Sequence, residues 1–346
     1  MGVLLSYITN EKLWLFLWGF GLLMFGLDLI EHAFSHLWVH AKAMIQKYTR
    51  NKFESILTGT AITGIMQSSS VVSVIIIGLA SAWVFWLYES IWLIIWANIG
   101  TTFTESFVGF FWMWSGWFNI DKFVMPAIAL GSLGAIFLPK KFKKWFFVML
   151  SIGLMFYGIS ILKQSVADFK HNINLSDYLN YSYRWLFLIG AIFTAVLHSS
   201  TATTFLTLAS MAEWVVTFEQ GLAIILWANI GTTITAALAC LKWDKIEKQV
   251  AMSHVLFNVI TCIICMIFFT QMNRILIHRV GALPGIRLTS SDTGEVVHSK
   301  YTQILAVFNL AFNLFWAIIF YPFIRQFETL LRWMIPDDKK IIAKAK

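Results

Sequence analysis

The sequence predicts an all-α polytopic membrane protein built as two inverted-topology repeats, each with a re-entrant helical hairpin and a broken transmembrane helix. Three observations lead there. Residues 57–102 align on residues 188–233 at a constant offset of 131, without a gap and with 15 of 46 positions identical. Hydrophobic residues make up 58% of the chain and charged residues only 13%. Residues 55–88 run for 34 positions without Asp, Glu, Lys, Arg or His, whereas one bilayer crossing needs about 20 apolar residues. A fixed internal period constrains the architecture before any local argument is made.

Taken in order, the first apolar stretch, 13–31, lacks the basic start and small-residue cleavage site of a signal peptide and is expected to remain as a helix. Residues 55–86 are too long for one straight crossing and too short for two crossings and a turn. Their polar centre, Gln67-Ser68-Ser69-Ser70, fits the tip of a hairpin that enters and leaves by one face. Residues 88–114 make one crossing, interrupted by Asn98-Ile-Gly-Thr101-Thr102, whose glycine and hydroxyls suit a locally unwound helix. A span over 123–138 completes the first repeat, residues 1–140. The second, residues 141–270, has a span over 145–162 and a hairpin over 185–216 around His198-Ser199-Ser200-Thr201. A broken helix over 219–241, around Asn229-Ile-Gly-Thr232-Thr233, and a span over 250–270 complete it. Gly21–Gly26 returns as Gly153–Gly158 at an offset of 132. Residues 271–302 read as an external loop, and 303–346 as an extra helix over 303–324 with a basic tail.

Charge orients this arrangement. The net charge of +8 does not point to nucleic acid, because the basic residues cluster at the ends of apolar segments. With 55–86 re-entrant, 17 Lys and Arg fall on one side (42–52, 140–144, 242–248, 325–346) and 9 on the other. The richer side is cytoplasmic by the positive-inside rule, which places the N-terminus outside and the C-terminus inside a plasma membrane. Two full crossings would give the same parity. Three true crossings per repeat is an odd number, so the second copy is upside down relative to the first. Cys240, Cys262 and Cys265 lie in apolar sequence without flanking ligands and read as buried small side chains.

Irregular backbone at membrane depth survives only inside protein or beside a cavity. A hairpin tip exposes the first N–H groups of the returning helix, where the positive end of the dipole favours an anion. Gln67, Ser68, Ser69 and Ser70, with His198, Ser199, Ser200 and Thr201, are therefore the candidate substrate-binding residues. Asn98, Thr101, Thr102, Asn229, Thr232 and Thr233 supply the amide and hydroxyl oxygens that suit a hard cation such as Na⁺. Up to four helix ends are expected around one small anion. Neither tip carries Lys or Arg in its apolar run, so a bound anion needs co-bound cations, since buried uncompensated charge is costly. Glu105 is a candidate for the ion path or an interfacial acid; its repeat mate is Ala236. His198 either mimics the hydrogen bonds of the mate's amide or brings pH sensitivity. His254 reads as structural.

The two serine clusters and the two Asn-Ile-Gly-Thr-Thr segments resemble the signature of the type II sodium/phosphate cotransporter family. Ala251-x-x-His254-x-x-Phe257-Asn258 and the glycine-spaced first helix are similar to its pattern, and the likeness covers roughly residues 13–325. It implies Na⁺-driven symport of inorganic phosphate by alternating access, with phosphate and Na⁺ at the serine tips and adjoining helices. Na⁺ is the coupling ion, no other cofactor is expected, and the lipid bilayer is the remaining partner; oligomeric state is left open. The chain departs from the family in carrying His198 and Thr201 where a second Gln-Ser-Ser-Ser is usual. The last His-Phe-Asn element is reduced to Val307-Phe308-Asn309 or Ala311-Phe312-Asn313. Rival readings are a carrier of another small oxyanion (sulfate, arsenate or a carboxylate), a passive channel, and a membrane-embedded hydrolase using Ser69 or Ser199 with His198. An orienting acid is not evident for the last, and it gains nothing from duplication.

Overall fold

The computed structural model describes residues 10–34, 59–64, 68–113, 121–170, 183–239, 245–278 and 294–336. Among them every regular element is helical. Among the described residues, five helical stretches are long and apolar enough to cross a bilayer: Glu11–Ala33, Lys140–Asp168, Phe218–Leu238, Lys245–Ile267 and Lys300–Met334. The chain is a multi-pass membrane protein.

Helix α1 (Glu11–Phe34) starts where the side chain of Asn10 accepts from the backbone N–H groups of Lys12 and Leu13, each at 3.2 Å. Helices α4 (Asp121–Phe137) and α5 (Lys140–Lys170) follow the first repeat's core, and α5 packs on both α1 and α4. These contacts explain the spaced glycines. A Cβ on Gly26 would lie 2.9 Å from Met155 N, and one on Gly158 would lie 2.6 Å from Leu23 N. Small residues let the helix backbones approach where lipid supplies no hydrophobic drive.

Between these elements the repeat is visible in backbone detail. Helix α2 (Ser69–Ser81) is N-capped by Ser68 (φ −140°, ψ 100°), whose side chain accepts from Val71 N. Helix α7 (Ser200–Ala212) is N-capped by Ser199 (φ −143°, ψ 108°), whose side chain accepts from Ala202 N. Both helices end on a tryptophan in the left-handed region, Trp83 (φ 59°) and Trp214 (φ 62°). There Val84 N returns to Leu79 O and Val215 N to Ser210 O, each at 2.9 Å. Every one of these pairs is separated by 131 residues. Helix α6 (Tyr183–Leu197) precedes the second tip, and the chain reverses at His198–Ser199. The hydroxyls of Thr194 and Thr203 meet at 2.7 Å across that bend, whereas nine residues of one straight helix span about 13 Å.

The long helices α3 (Leu87–Met113) and α8 (Phe218–Ala239) correct the expectation of broken helices, since each runs unbroken through its Asn-Ile-Gly-Thr-Thr segment. The hydroxyls bond back to carbonyls three or four residues earlier: Thr102 to Ile99 O and Asn98 O, Thr232 to Asn229 O, Thr233 to Ile230 O. That geometry leaves the helix intact. The glycines serve close approach instead of unwinding. A Cβ on Gly100 would lie 2.5 Å from Thr60 O, and one on Gly231 would lie 2.5 Å from Ala191 O. Asn98 and Asn229 are therefore mid-helix residues, and the expected four helix ends reduce to two.

Helix α9 (Lys245–Ile267) packs against both α3 and α8. Residues 271–302, read as a loop, are partly helical: α10 covers Phe269–His278 and α11 starts at Gly294 and runs to Phe320. A 3₁₀ turn (Tyr321–Phe323) leads to the amphipathic α12 (Ile324–Met334). The core lies among α2, α3, α7, α8, α9 and α11, where Trp92, Phe205, Leu226 and Phe257 are buried. Cys262 and Cys265 are free, buried thiols, as the sequence suggested.

Candidate functional site

The two serine tips face one cavity of about 280 Å³. Ser68, Ser69 and Thr101 line it from the first repeat; His198, Ser199, Ser200, Thr201 and Thr232 line it from the second. The N-termini of α2 and α7 thus point at a shared space, and both present positive dipole ends with capping hydroxyls. This volume has room for a small inorganic ion together with several waters. Helix α1 lines the same cavity with Met24, Leu27, Asp28 and Glu31. No Lys or Arg among the described residues lines it. The site offers an anion two helix dipoles and several hydroxyls, but it also places two acids beside them.

His198 sits at the second tip with φ 54°, a left-handed conformation that a non-glycine residue adopts at some cost. Its mate, Gln67, lies outside the described residues, and of Ser70 only the helical backbone is described. Thr101 is 7% exposed, and its hydroxyl is buried without a hydrogen-bond partner although the residue lines the cavity.

The four remaining predicted cation residues do not reach the cavity; they brace the helices around it. His254 Nε2 lies 3.0 Å from Asn98 Oδ1, and Asn98 Nδ2 donates to Asn258 Oδ1 at 3.5 Å. On the other side Asn229 Nδ2 donates to Asn309 Oδ1 at 2.9 Å, and Asn313 Nδ2 donates to Asn229 Oδ1 at 3.4 Å. Each asparagine is held by an i, i+4 pair on a neighbouring helix. The matching element in α11 is therefore Asn309-x-x-Phe312-Asn313, with Asn309 in the place of His254. Thr102 and Thr233 are committed to their own helices. Glu105 is fully buried, not interfacial, and accepts from Ser200, Thr201, Thr204 and Asn309.

The sequence profile of the Na⁺/Pi-cotransporter family matches residues 22–164 and 177–292. The chain belongs to this family. It is 29% identical over 321 residues to the uncharacterized protein YqeW of Bacillus subtilis (strain 168), an alignment covering 91% of this chain and 94% of that one. It is 19% identical over 311 residues to YjbB of Escherichia coli (strain K12), a protein named for inorganic phosphate export. That alignment covers 87% of this chain but 51% of YjbB, so the chain spans about half the length of that relative. No solved structure matches the chain. In this Na⁺/Pi-cotransporter family member, Ser68, Ser69 and Thr101 line one cavity with His198, Ser199, Ser200, Thr201 and Thr232. Asp28, Glu31, Asn309 and Asn313 were missed. The acids lie outside the gapless aligned segments 57–102 and 188–233; the asparagines were visible only as a degraded family motif.

Proposed function

We propose that the protein is a sodium-coupled transporter of inorganic phosphate that works by alternating access. The observation that carries this reading is the cavity itself, where two serine-capped helix N-termini meet with no basic side chain among the described lining residues. Dipoles and hydroxyls hold the anion, and cations offset Asp28, Glu31 and the anion's own charge. Thr101 and Thr232 are the Na⁺ ligands that open onto the cavity, while Asn98, Thr102, Asn229 and Thr233 keep the surrounding helices in register. Membership of the family and the name of YjbB support phosphate as the cargo. The net direction follows the combined gradients, so both orientations belong in the test. In this reading the tips are re-entrant hairpins entering from opposite faces, with the N-terminus outside and the C-terminus cytoplasmic.

The test is radiolabelled phosphate flux in proteoliposomes with Na⁺ or choline gradients of either sign, for the native protein and a Ser69→Ala, Ser200→Ala double variant. Flux that needs Na⁺ and falls at least tenfold in the double variant is expected. Phosphate flux that ignores Na⁺, or none in vesicles shown to be intact, rejects the proposal; sulfate, arsenate and carboxylate competition then identifies the anion.

A further inference from the structure

Glu105 lies on α3 one turn beyond Thr101, so the two share a helix face. Each of its carboxylate oxygens accepts two hydrogen bonds. Ser200 Oγ (3.0 Å) and Thr201 Oγ1 (2.9 Å) donate to Oε1; Thr204 Oγ1 (3.3 Å) and Asn309 Nδ2 (2.9 Å) donate to Oε2. The orientation of Asn309 is set elsewhere, because its Oδ1 accepts from Asn229 and Asn313. Four donors fill the roughly four lone-pair positions of an ionised carboxylate, so the surroundings are arranged for a negative charge. All four donors are neutral, which leaves that buried charge without a counter-ion.

The other half of the molecule lacks this centre. At the position equivalent to Glu105 stands Ala236, at the position of Thr204 stands Ser73, and at the position of Asn309 stands His254. Ser73 Oγ and His254 Nδ1 are both buried without partners. Among the described residues, only the second tip has an acid hydrogen-bonded behind it. A hydroxyl has one proton to give. Ser200 and Thr201 spend theirs on Glu105, so the oxygens that they present to the cavity are acceptors. Thr101 adds a buried, unpartnered hydroxyl on the same face of α3. Acceptor oxygens around one buried carboxylate describe a cation site.

We propose that Glu105, with the hydroxyl oxygens of Ser200, Thr201 and Thr101, forms a monovalent-cation site that Na⁺ occupies before the anion arrives. One carboxylate among neutral ligands is neutralised by one unit of charge, which selects a monovalent ion. Among the described residues there is no group of three His, Cys, Asp or Glu side chains able to hold a divalent metal. The filled site removes the negative charge behind the second tip and frees its dipole for the anion. This inference rests on the cotransport reading, and it assigns one coupling ion to one half of the protein.

Equilibrium binding of ²²Na⁺ to the purified full-length protein, without phosphate, tests it. The native protein is expected to bind Na⁺ saturably, Glu105→Asp to retain binding, and Glu105→Gln to raise the half-saturating concentration at least tenfold. Should Glu105→Gln not elute as a monodisperse species, Thr101→Val carries the same comparison, with a rise of severalfold expected. Unchanged binding in the variant overturns the site, as does native binding that appears only with phosphate. Half-saturation that shifts tenfold per pH unit overturns it too, in favour of a proton on Glu105. Phosphate flux by the native protein is read in parallel. Flux with unchanged Na⁺ binding in the variant sinks the site alone; Na⁺ binding without any phosphate flux sinks the phosphate reading alone.

Discussion

Truncating Ser68 or Ser199 to alanine removes the side-chain acceptor for Val71 N or Ala202 N and leaves an open helix start beside the cavity. Loss of such a cap costs about 0.5–2 kcal/mol. Each single variant is expected to lower thermal stability by that amount in detergent, and the pair to lower it further than either alone. A double variant no less stable than the native protein would show that the caps are dispensable. These residues were legible because capping is a local preference: Ser before a helix start announces itself in sequence. Asp28 and Glu31 were not legible, because they reach the cavity from a helix about 40 residues away and belong to no repeated motif. Glu105 was noticed as an acid in apolar sequence, but its four donors come from α7 and α11, which no local pattern could join to it.

At the scale of elements, Asn-Ile-Gly-Thr-Thr shows how tertiary contact overrides local propensity. Glycine beside clustered hydroxyls reads as a break, yet α3 and α8 pass through without one. What demands the glycine is a neighbouring backbone, and that partner is invisible to a window of sequence. The contrast can be measured on three glycines. A Cβ on Gly100 or Gly231 meets a carbonyl oxygen at 2.5 Å, whereas one on Gly78 has nothing within 4 Å. Gly100→Ala and Gly231→Ala should each force a helix pair apart and cost about 1–3 kcal/mol. Gly78→Ala, in the body of α2, should be neutral or gain about 0.5–1 kcal/mol from lower backbone entropy. Thermal unfolding of the three variants separates the two roles. Equal effects at all three positions would mean that the close approaches of 100 and 231 do not matter.

At the scale of the whole molecule, the duplicated backbone geometry acquires meaning only from its relation to the membrane. Two copies related by 131 residues share caps, left-handed tryptophans and glycine contacts. An odd number of crossings between them would set one copy upside down and bring both helix N-termini to a common midplane. The turns after α2 and α7 provide the markers. Trp83 and Trp86 at the first turn and Trp214 at the second are exposed, as suits side chains anchored at a membrane–water boundary. If the copies are inverted as proposed, these turns would lie at opposite boundaries, the first cytoplasmic and the second external. Single cysteines at Val84 and Val215, on a background with the three native cysteines replaced, read this directly in intact cells. A membrane-impermeant maleimide should label Val215→Cys from outside and Val84→Cys only after the cells are opened. Labelling of both positions from one side would mean that the copies are parallel. The two tips would then lie at the same end of their helices relative to the bilayer, and a shared anion site fed alternately from the two faces would lose its structural basis.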